Sequence, residues 1–410
     1  MRPLYPSRQV LRQALTLLIL IIACATAQVS AQVSSANLEG RSEVWLVTYG
    51  PGEVYWQRFG HNAIWIRAPE LGLDHTFNFG FFDFELEDFF LRFLQGRMLY
   101  FSAAQPSRDE FASYIDENRG IRAQKLDLDP QQKQALIAYL LSEVRPENRD
   151  YLYDYYLNNC STRVRDALDR ALGGALRSEF ESTPASQTWR DHTRRLTEAD
   201  FWLYLGLELG LGVPVDSSIS VWDEMFIPEK LAGAVSAYHT DRAGTSSPLV
   251  VEDVQLYRST LAPPPGSPRS VWPRYLLASL AVLAAVWIAC RLGGSGLARA
   301  VARTWLVLSG LVGCALLFFW FGTDHAVARN NLNLQIFNPL WLLLGLWRGH
   351  EKLTLVIVAA ISVITVMMPL LPPGQYNLDV IAAFVPLNLA AAWTLYVSRP
   401  HPADRPVGGS

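Results

Sequence analysis

The sequence predicts an α+β domain outside the cytoplasm, followed by an all-α membrane domain of about five transmembrane helices. Three observations predict this. Half of the 410 residues are hydrophobic and only 18% are charged, and beyond the N-terminal segment the long uncharged runs fall in the part of the chain after residue 270. The N-terminus has the layout of an export signal. Basic residues fall on alternate sides of the apolar runs, as the positive-inside bias requires of a chain that crosses a membrane repeatedly.

Taken in order, residues 1–31 carry Arg2, Arg8 and Arg12, an apolar stretch from Leu15 to Ala25, and small-residue sites at Ala25-Thr26-Ala27 and Val29-Ser30-Ala31. This is a signal peptide or an N-terminal anchor. The run Ile21-Ile22-Ala23-Cys24 also resembles a lipidation box, so Cys24 is an alternative mature end. Residues 32–261 read as one folded extracytoplasmic domain, and 262–270 as a stiff proline-rich linker. Five spans follow within 271–398: Val271 to Cys290, Trp305 to Phe321, Ile336 to Trp347, Leu353 to Leu371 and Asp379 to Val397. The third is short and reads as tilted, re-entrant or extended by its flanks. Arg291, Arg299, Arg303, Arg348, Lys352, Arg399 and Arg405 then fall on the cytoplasmic side with the tail 399–410, which puts the domain, "GTDHAVARNNLNLQIFNP" and "PPGQYN" outside.

This topology makes the cysteines informative. Cys24 lies in the signal and Cys290 and Cys314 lie in spans, so Cys160 is an unpaired thiol in an oxidising compartment. With Asn158 or Asn159 as N-cap, a helix from Cys160 places Val164, Ala167, Leu168, Ala171 and Leu172 on one buried stripe, turns Arg163, Arg165, Asp166 and Arg170 mostly outward, and ends at Gly173-Gly174. A thiol at a helix N-terminus is biased towards the nucleophilic thiolate, whereas a free cysteine elsewhere is commonly a small buried hydrophobe.

A thiol nucleophile needs an imidazole. The domain holds His61, His75, His192 and His239, and His61 is the best placed: Gly60 precedes it and residues 61–67 alternate as a half-buried strand, with Ile64 and Ile66 on one face. The next strand-like segment supplies His75, Asn78 and Asp83 as groups to orient the ring, and Asn78, set between Phe77 and Phe79, is preferred. The aromatic segment "FFDFELEDFFLRFLQGRMLYF" suits an acyl-chain groove or the headgroup region, but such stripes more often form core, the reading preferred here. "FWLYLGLELGLG" is too short to span and contains Glu208, so it reads as a buried or interfacial helix.

The stretches "YGPGEVYWQRFGHNAIWI", "FNFGFFDFE", "YDYYLNNCSTRVRDALD" and "TDHAVARNNLNLQIFNPLWL" resemble the Lnb family of bacterial lipoprotein N-acyltransferases along nearly the whole mature chain. The resemblance implies a papain-like fold, circularly permuted as in NlpC and lecithin:retinol acyltransferase domains, with Cys160 as nucleophile and His61 as base. It implies the bacterial inner membrane, a phospholipid acyl donor and a lipoprotein acceptor, with no cofactor and no metal. Asn158 and Asn159 are candidates for substrate binding or oxyanion stabilisation, or are only caps. Asp324, His325, Asn330 and Asn333 of the outer loop are candidates for lipid contact, for support of the thiol domain, or for capping, and His325 competes with His61 as catalytic partner.

Other chemistries find little in the sequence. It contains no GxxxxGK[ST] or GxGxxG loop, no CxxC pair, no HExxH and no GxSxG elbow, and no concentrated basic patch for nucleic acid. The alternatives to acyl transfer are a cell-wall cysteine peptidase or amidase, and a non-enzymatic protein that binds lipid or a partner. Several spans favour a lipid substrate, since a wall hydrolase needs only one tether.

Overall fold

The computed structural model describes residues 42–398 apart from 243, 372 and 373, so the export segment with Cys24 and the tail 399–410 lie outside the described residues. The first part is an α+β domain around a seven-stranded antiparallel sheet ordered β6-β4-β3-β2-β1-β5-β9. Its strands are β1 (Glu43–Tyr49), β2 (His61–Ala68), β3 (Leu73–Phe81), β4 (Leu99–Pro106), β5 (Ile121–Leu126), β6 (Asp150–Leu152) and β9 (Val250–Tyr257). A separate ribbon pairs β7 (His239–Arg242) with β8 (Thr245–Pro248).

Both faces of the central strands are covered. Side chains alternate along a strand, so Val44, Leu46, Ile64, Ile66, Phe77 and Phe79 share one core with the helices Pro130–Glu143 and Cys160–Ala171. Trp45, Val47, Tyr49, Ala63, Trp65 and Ile121 form a second core beneath Phe111 and Tyr114 of the helix Ser107–Asp116. β2 is therefore buried on both faces, where a half-buried strand is expected from its alternation.

The cysteine helix forms as its sequence predicts, with Asn159 as cap, the apolar stripe buried, and Gly173 and Gly174 in left-handed conformations beyond its end. Arg165 departs from the expectation. It turns inward, 7% exposed, with its guanidinium 4.0 Å from the centre of the Trp222 ring and Nη1 donating to the Trp222 carbonyl.

The second part is helical. Among the described residues, three of its helices are long and apolar enough to cross a membrane: Trp272–Phe321, Glu351–Leu370 and Leu378–Val397. The first two expected spans run on as one helix of 50 residues broken at Gly294. Straight, such a helix would extend about 75 Å. Instead Tyr275 and Asp379 both meet Tyr204 at one end, Arg299 reaches the carbonyl of Ser398 at the other, and Trp305 and Leu316 then return along the last span beside Asn388 and Ile381, so the chain folds back at Gly294 into two limbs.

The third expected span is short for a physical reason. It consists of two pieces, Asn333–Ile336 and Leu340–Leu346, interrupted around Pro339. Polar groups freed in a membrane interior need partners. The Ile336 carbonyl accepts from Trp341 Nε1 (2.8 Å) and Asn388 Nδ2 (2.7 Å), and Trp305 Nε1 holds Asn388 Oδ1 at 2.9 Å. The interruption is packed against glycines of the second limb: a Cβ on Gly313 would lie 1.7 Å from the Phe337 carbonyl oxygen, and one on Gly310 would lie 2.3 Å from the Leu342 nitrogen.

Gly313→Ala is therefore expected to lower the thermal midpoint of the protein in detergent, with a loss of about 1–3 kcal/mol from overpacking. Gly296→Ala, where an added Cβ meets nothing within 4 Å, is expected to be neutral or stabilising in the same melt.

Candidate functional site

His61 opens β2 opposite Tyr49 of β1. Gly60 makes this start possible: its φ is +82°, and a Cβ there would lie 2.8 Å from the Tyr49 carbonyl oxygen. The imidazole stacks with the Tyr49 and Tyr114 rings, which lie face to face with centroids 3.6 Å apart. His61 Nε2 lies 2.9 Å from Asn78 Oδ1 on β3. Asn78 in turn donates from Nδ2 to Glu110 Oε2 (2.6 Å), and the same buried carboxylate accepts the hydroxyls of Tyr49 and Thr76. Since the carboxylate accepts, the Asn78 oxygen faces the ring and Nε2 carries the proton. The lone pair of the neutral imidazole is then on Nδ1.

Cys160 is the first residue of its helix. Asn159 accepts from the Thr162 N–H at 2.9 Å, and the Thr162 hydroxyl accepts from the Asn159 N–H at 2.8 Å. The helix belongs to the opposite face of the sheet from the Tyr49–Tyr114 stack, and its N-terminus enters where the pairing of β2 and β3 has ended, beyond Ala63 and Asn78. At the same point β3 is irregular between Phe79 and Phe81, and Gly80 has φ +99°, so that a Cβ there would stand 3.4 Å from that of Cys160.

The backbone N–H groups of Asn62, Ser161 and Cys160 lie near enough to the sulfur to favour its charged form, and Asn62 is the residue after His61. One position along each segment, the Ser161 hydroxyl lies 2.8 Å from Asn62 Oδ1 and 2.6 Å from the Met225 carbonyl, while Asn62 Nδ2 donates to Thr48 Oγ1 at 2.9 Å. Asn62 and Ser161 are both fully buried. The "GHNA" and "NNCS" segments are thus joined by their own side chains.

Burial governs the charges. It pushes the Cys160 thiol up to about 11, against which the N–H groups near the sulfur and the Arg119 guanidinium pull down. The helix terminus is thus expected to favour the thiolate, and desolvation outweighs it. Burial likewise brings His61 down to about 4, although Asn78 favours the charged ring. The resting pair is a thiol and a neutral imidazole. Glu110 is raised by burial, opposed by its three hydrogen bonds. Arg119, 5% exposed, lies with its guanidinium 4.4 Å from the centre of the Tyr114 ring, with Nε on the Gly50 carbonyl.

The other sequence candidates fall elsewhere. His75 lies on the face of β3 opposite to Asn78, and Asp83 turns back on the Glu85 N–H in a loop. His192 is buried between Glu224 and Arg195. Asn159 spends both amide hydrogens on the carbonyls of Tyr155 and Phe226, and Asn158 donates to Leu152 and accepts from Arg163, so both side chains act as local braces.

The outer-loop residues hold the two parts of the protein together. Asp324 pairs with Arg97 at 2.6 Å, and His325 Nε2 donates to the Phe93 carbonyl at 2.9 Å. Asn333 is fully buried and donates to the Glu208 carbonyl, and neighbouring Asn331 donates to those of Leu209 and Gly210, so together they close the C-terminus of the helix Phe201–Gly210. Asn330 has φ +51° and its carbonyl accepts from the Val213 N–H. The sequence leaves lipid contact, support of the domain and capping open for these residues. Glu110, Arg119, Asn62, Ser161 and Gly80 were not anticipated, although Asn62, Ser161 and Gly80 lie inside the quoted motifs.

A thiol raised by burial reacts more slowly at neutral pH than an open one and keeps gaining as pH rises. Iodoacetamide alkylation of Cys160, followed by peptide mass spectrometry, is expected to accelerate through pH 9 and 10 without levelling off near the ordinary value of 9.0. A plateau below that value would contradict the burial argument.

Two family profiles match the chain. The Lnb N-terminal periplasmic domain covers residues 30–195 and the Lnb transmembrane domain covers residues 267–399. No match was found among curated proteins or among solved structures. With its α+β domain, its apolar helices and these two matches along most of its length, the chain belongs to the Lnb family, membrane proteins with an N-terminal periplasmic domain and a C-terminal transmembrane domain.

Proposed function

We propose that the protein is a cysteine acyltransferase of the bacterial inner membrane, multi-pass, with its thiol domain in the periplasm, moving an acyl chain from a phospholipid to the N-terminal cysteine amine of lipoproteins. The observation that carries this reading is that the cysteine segment meets the histidine segment, Ser161 on Asn62, with the Cys160 sulfur near the Asn62 amide, directly after a histidine whose Nε2 is held by Asn78. A cysteine at a helix N-terminus, a histidine on a strand and an asparagine behind it are the parts of a papain-like site, here with histidine before cysteine in the chain.

In the first step the Cys160 sulfur attacks the ester carbonyl of a phospholipid while His61 Nδ1 takes the thiol proton. The C–O bond breaks, His61 returns the proton to the departing lysophospholipid oxygen, and a thioester remains on Cys160. In the second step the acceptor amine attacks the thioester, His61 takes a proton from nitrogen and returns it to sulfur, and an amide is released. No water or cofactor enters the balance. Asn78 fixes the tautomer that leaves Nδ1 basic, and Glu110 fixes Asn78. Because the side-chain amides of Asn158 and Asn159 are committed, the oxyanion is assigned to backbone N–H groups around the sulfur, those of Asn62 and Cys160.

The neutral resting pair suits this chemistry. The thiol, partly accessible but held protonated by desolvation, gives up its proton to the imidazole when a substrate occupies the site. Attachment of the domain to the spans through Asp324, His325, Asn331 and Asn333 keeps the site beside the bilayer that holds both substrates.

The test is the mass of the N-terminal lipopeptide of an abundant lipoprotein from cells carrying or lacking the gene. An added N-acyl chain is expected with the gene and absent with Cys160→Ala, and His61→Ala should slow acylation by about 10²–10⁴-fold. An unchanged lipopeptide together with altered wall fragments would favour the peptidase reading. No difference in either would contradict catalysis.

A further inference from the structure

The aromatic segment after β3 is largely exposed, contrary to the core role preferred from its sequence. Phe90 is 73% exposed, Leu91 55% and Phe84 52%, and Trp56 packs its ring against Phe82 and Phe84 beside them. Apolar surface of this kind, concentrated on one short helix, Phe89–Gln95, and the loop before it, marks a contact with something apolar.

The helix is tied to the end of a span. Asp324 N–H donates to the Gln95 carbonyl at 2.8 Å, His325 Nε2 holds the Phe93 carbonyl, and Arg97 pairs with Asp324. Gly96, with φ +76°, permits the approach, since a Cβ there would lie 2.7 Å from the His325 nitrogen. Asp324 stands three residues beyond Phe321, the end of the second limb of the folded helix, where Phe321 itself is 73% exposed.

A second outcrop is tied to the other spans. Phe201 and Trp202, the latter 75% exposed, begin the helix Phe201–Gly210. Phe201 stacks on Tyr275 at 6.0 Å near the start of the first limb, and the Tyr204 hydroxyl donates to Asp379 at 2.6 Å at the start of the last span. Both outcrops therefore stand level with the periplasmic ends of the membrane helices, the depth at which aromatic side chains partition into the headgroup and upper acyl region.

We propose that the segment Phe84–Leu94, together with Phe201 and Trp202, is inserted in the outer leaflet of the bilayer that the spans cross, so that the periplasmic domain rests on two apolar feet. The occupant of this surface is lipid, because the exposed side chains continue the apolar surface of the spans at both places. Insertion does not depend on the proposed chemistry.

The test uses the full chain in vesicles of phosphatidylethanolamine and phosphatidylglycerol, with the photoreactive p-benzoylphenylalanine in place of one residue at a time. Position 90 and position 202 are expected to form phospholipid adducts at a yield close to that of Leu277, an exposed span residue, and several-fold above Leu141, an exposed residue of the helix Pro130–Glu143. Aromatic replacement of an exposed aromatic leaves the fold intact, and the Leu277 adduct reports correct insertion. Yields at positions 90 and 202 no higher than at Leu141, or adducts to protein in place of lipid, would overturn the proposal. Neither result bears on lipopeptide acylation, so failure here and failure of the acyltransferase reading are separately visible.

Discussion

The site depends on the joint between β2 and the cysteine helix. Ser161 and Asn62 meet inside the protein, and one residue before each of them stand Cys160 and His61. The cysteine helix packs on one face of the sheet and the His61 ring on the other, and the segments that carry them meet where β2–β3 pairing ends and β3 is irregular at Gly80. Breaking the joint would leave Asn62 and the Met225 carbonyl buried without their hydroxyl partner, a cost of about 1–3 kcal/mol that also fixes the geometry.

The electrostatics follow from the same burial. A helix N-terminus lowers a thiol pKa, but its influence is modest beside the penalty of placing a thiolate among Tyr151, Tyr153 and Tyr114. The imidazole is likewise kept neutral, and the buried Glu110, two hydrogen bonds behind it, orients Asn78. A site that stays uncharged until a substrate enters can stand at a membrane surface without holding an unpaired charge away from water.

Much of this was legible in the sequence where the signal was local. The cap, stripe and terminal glycines of the cysteine helix lie within sixteen residues of one another, Gly60 announced the start of β2, and an asparagine between two phenylalanines pointed to Asn78. Glu110 and Arg119 were not legible, because their meeting with His61 depends on strand register and on a helix packed across the sheet. Asn158 and Asn159 suit a cap or a substrate donor equally in the sequence, and their amide hydrogens are spent on carbonyls that the folded chain brings to them. The aromatic segment has the same composition whether it forms core or foot, and the loop at Asp324 decides between them by fixing it to a span. The interrupted third span was visible as a short apolar run, but not the tryptophan and asparagine that satisfy its free carbonyl.

The most direct test of the central claim, that the Cys160 sulfur and the His61 imidazole act as one acyl-transferring pair, is to trap the intermediate. Purified protein in phospholipid vesicles without acceptor is digested, and the peptide containing Cys160 is weighed before and after neutral hydroxylamine. The account predicts a hydroxylamine-labile acyl group on Cys160 that forms far more slowly in His61→Ala. An unmodified Cys160, or acylation that proceeds equally well without the imidazole, would contradict it.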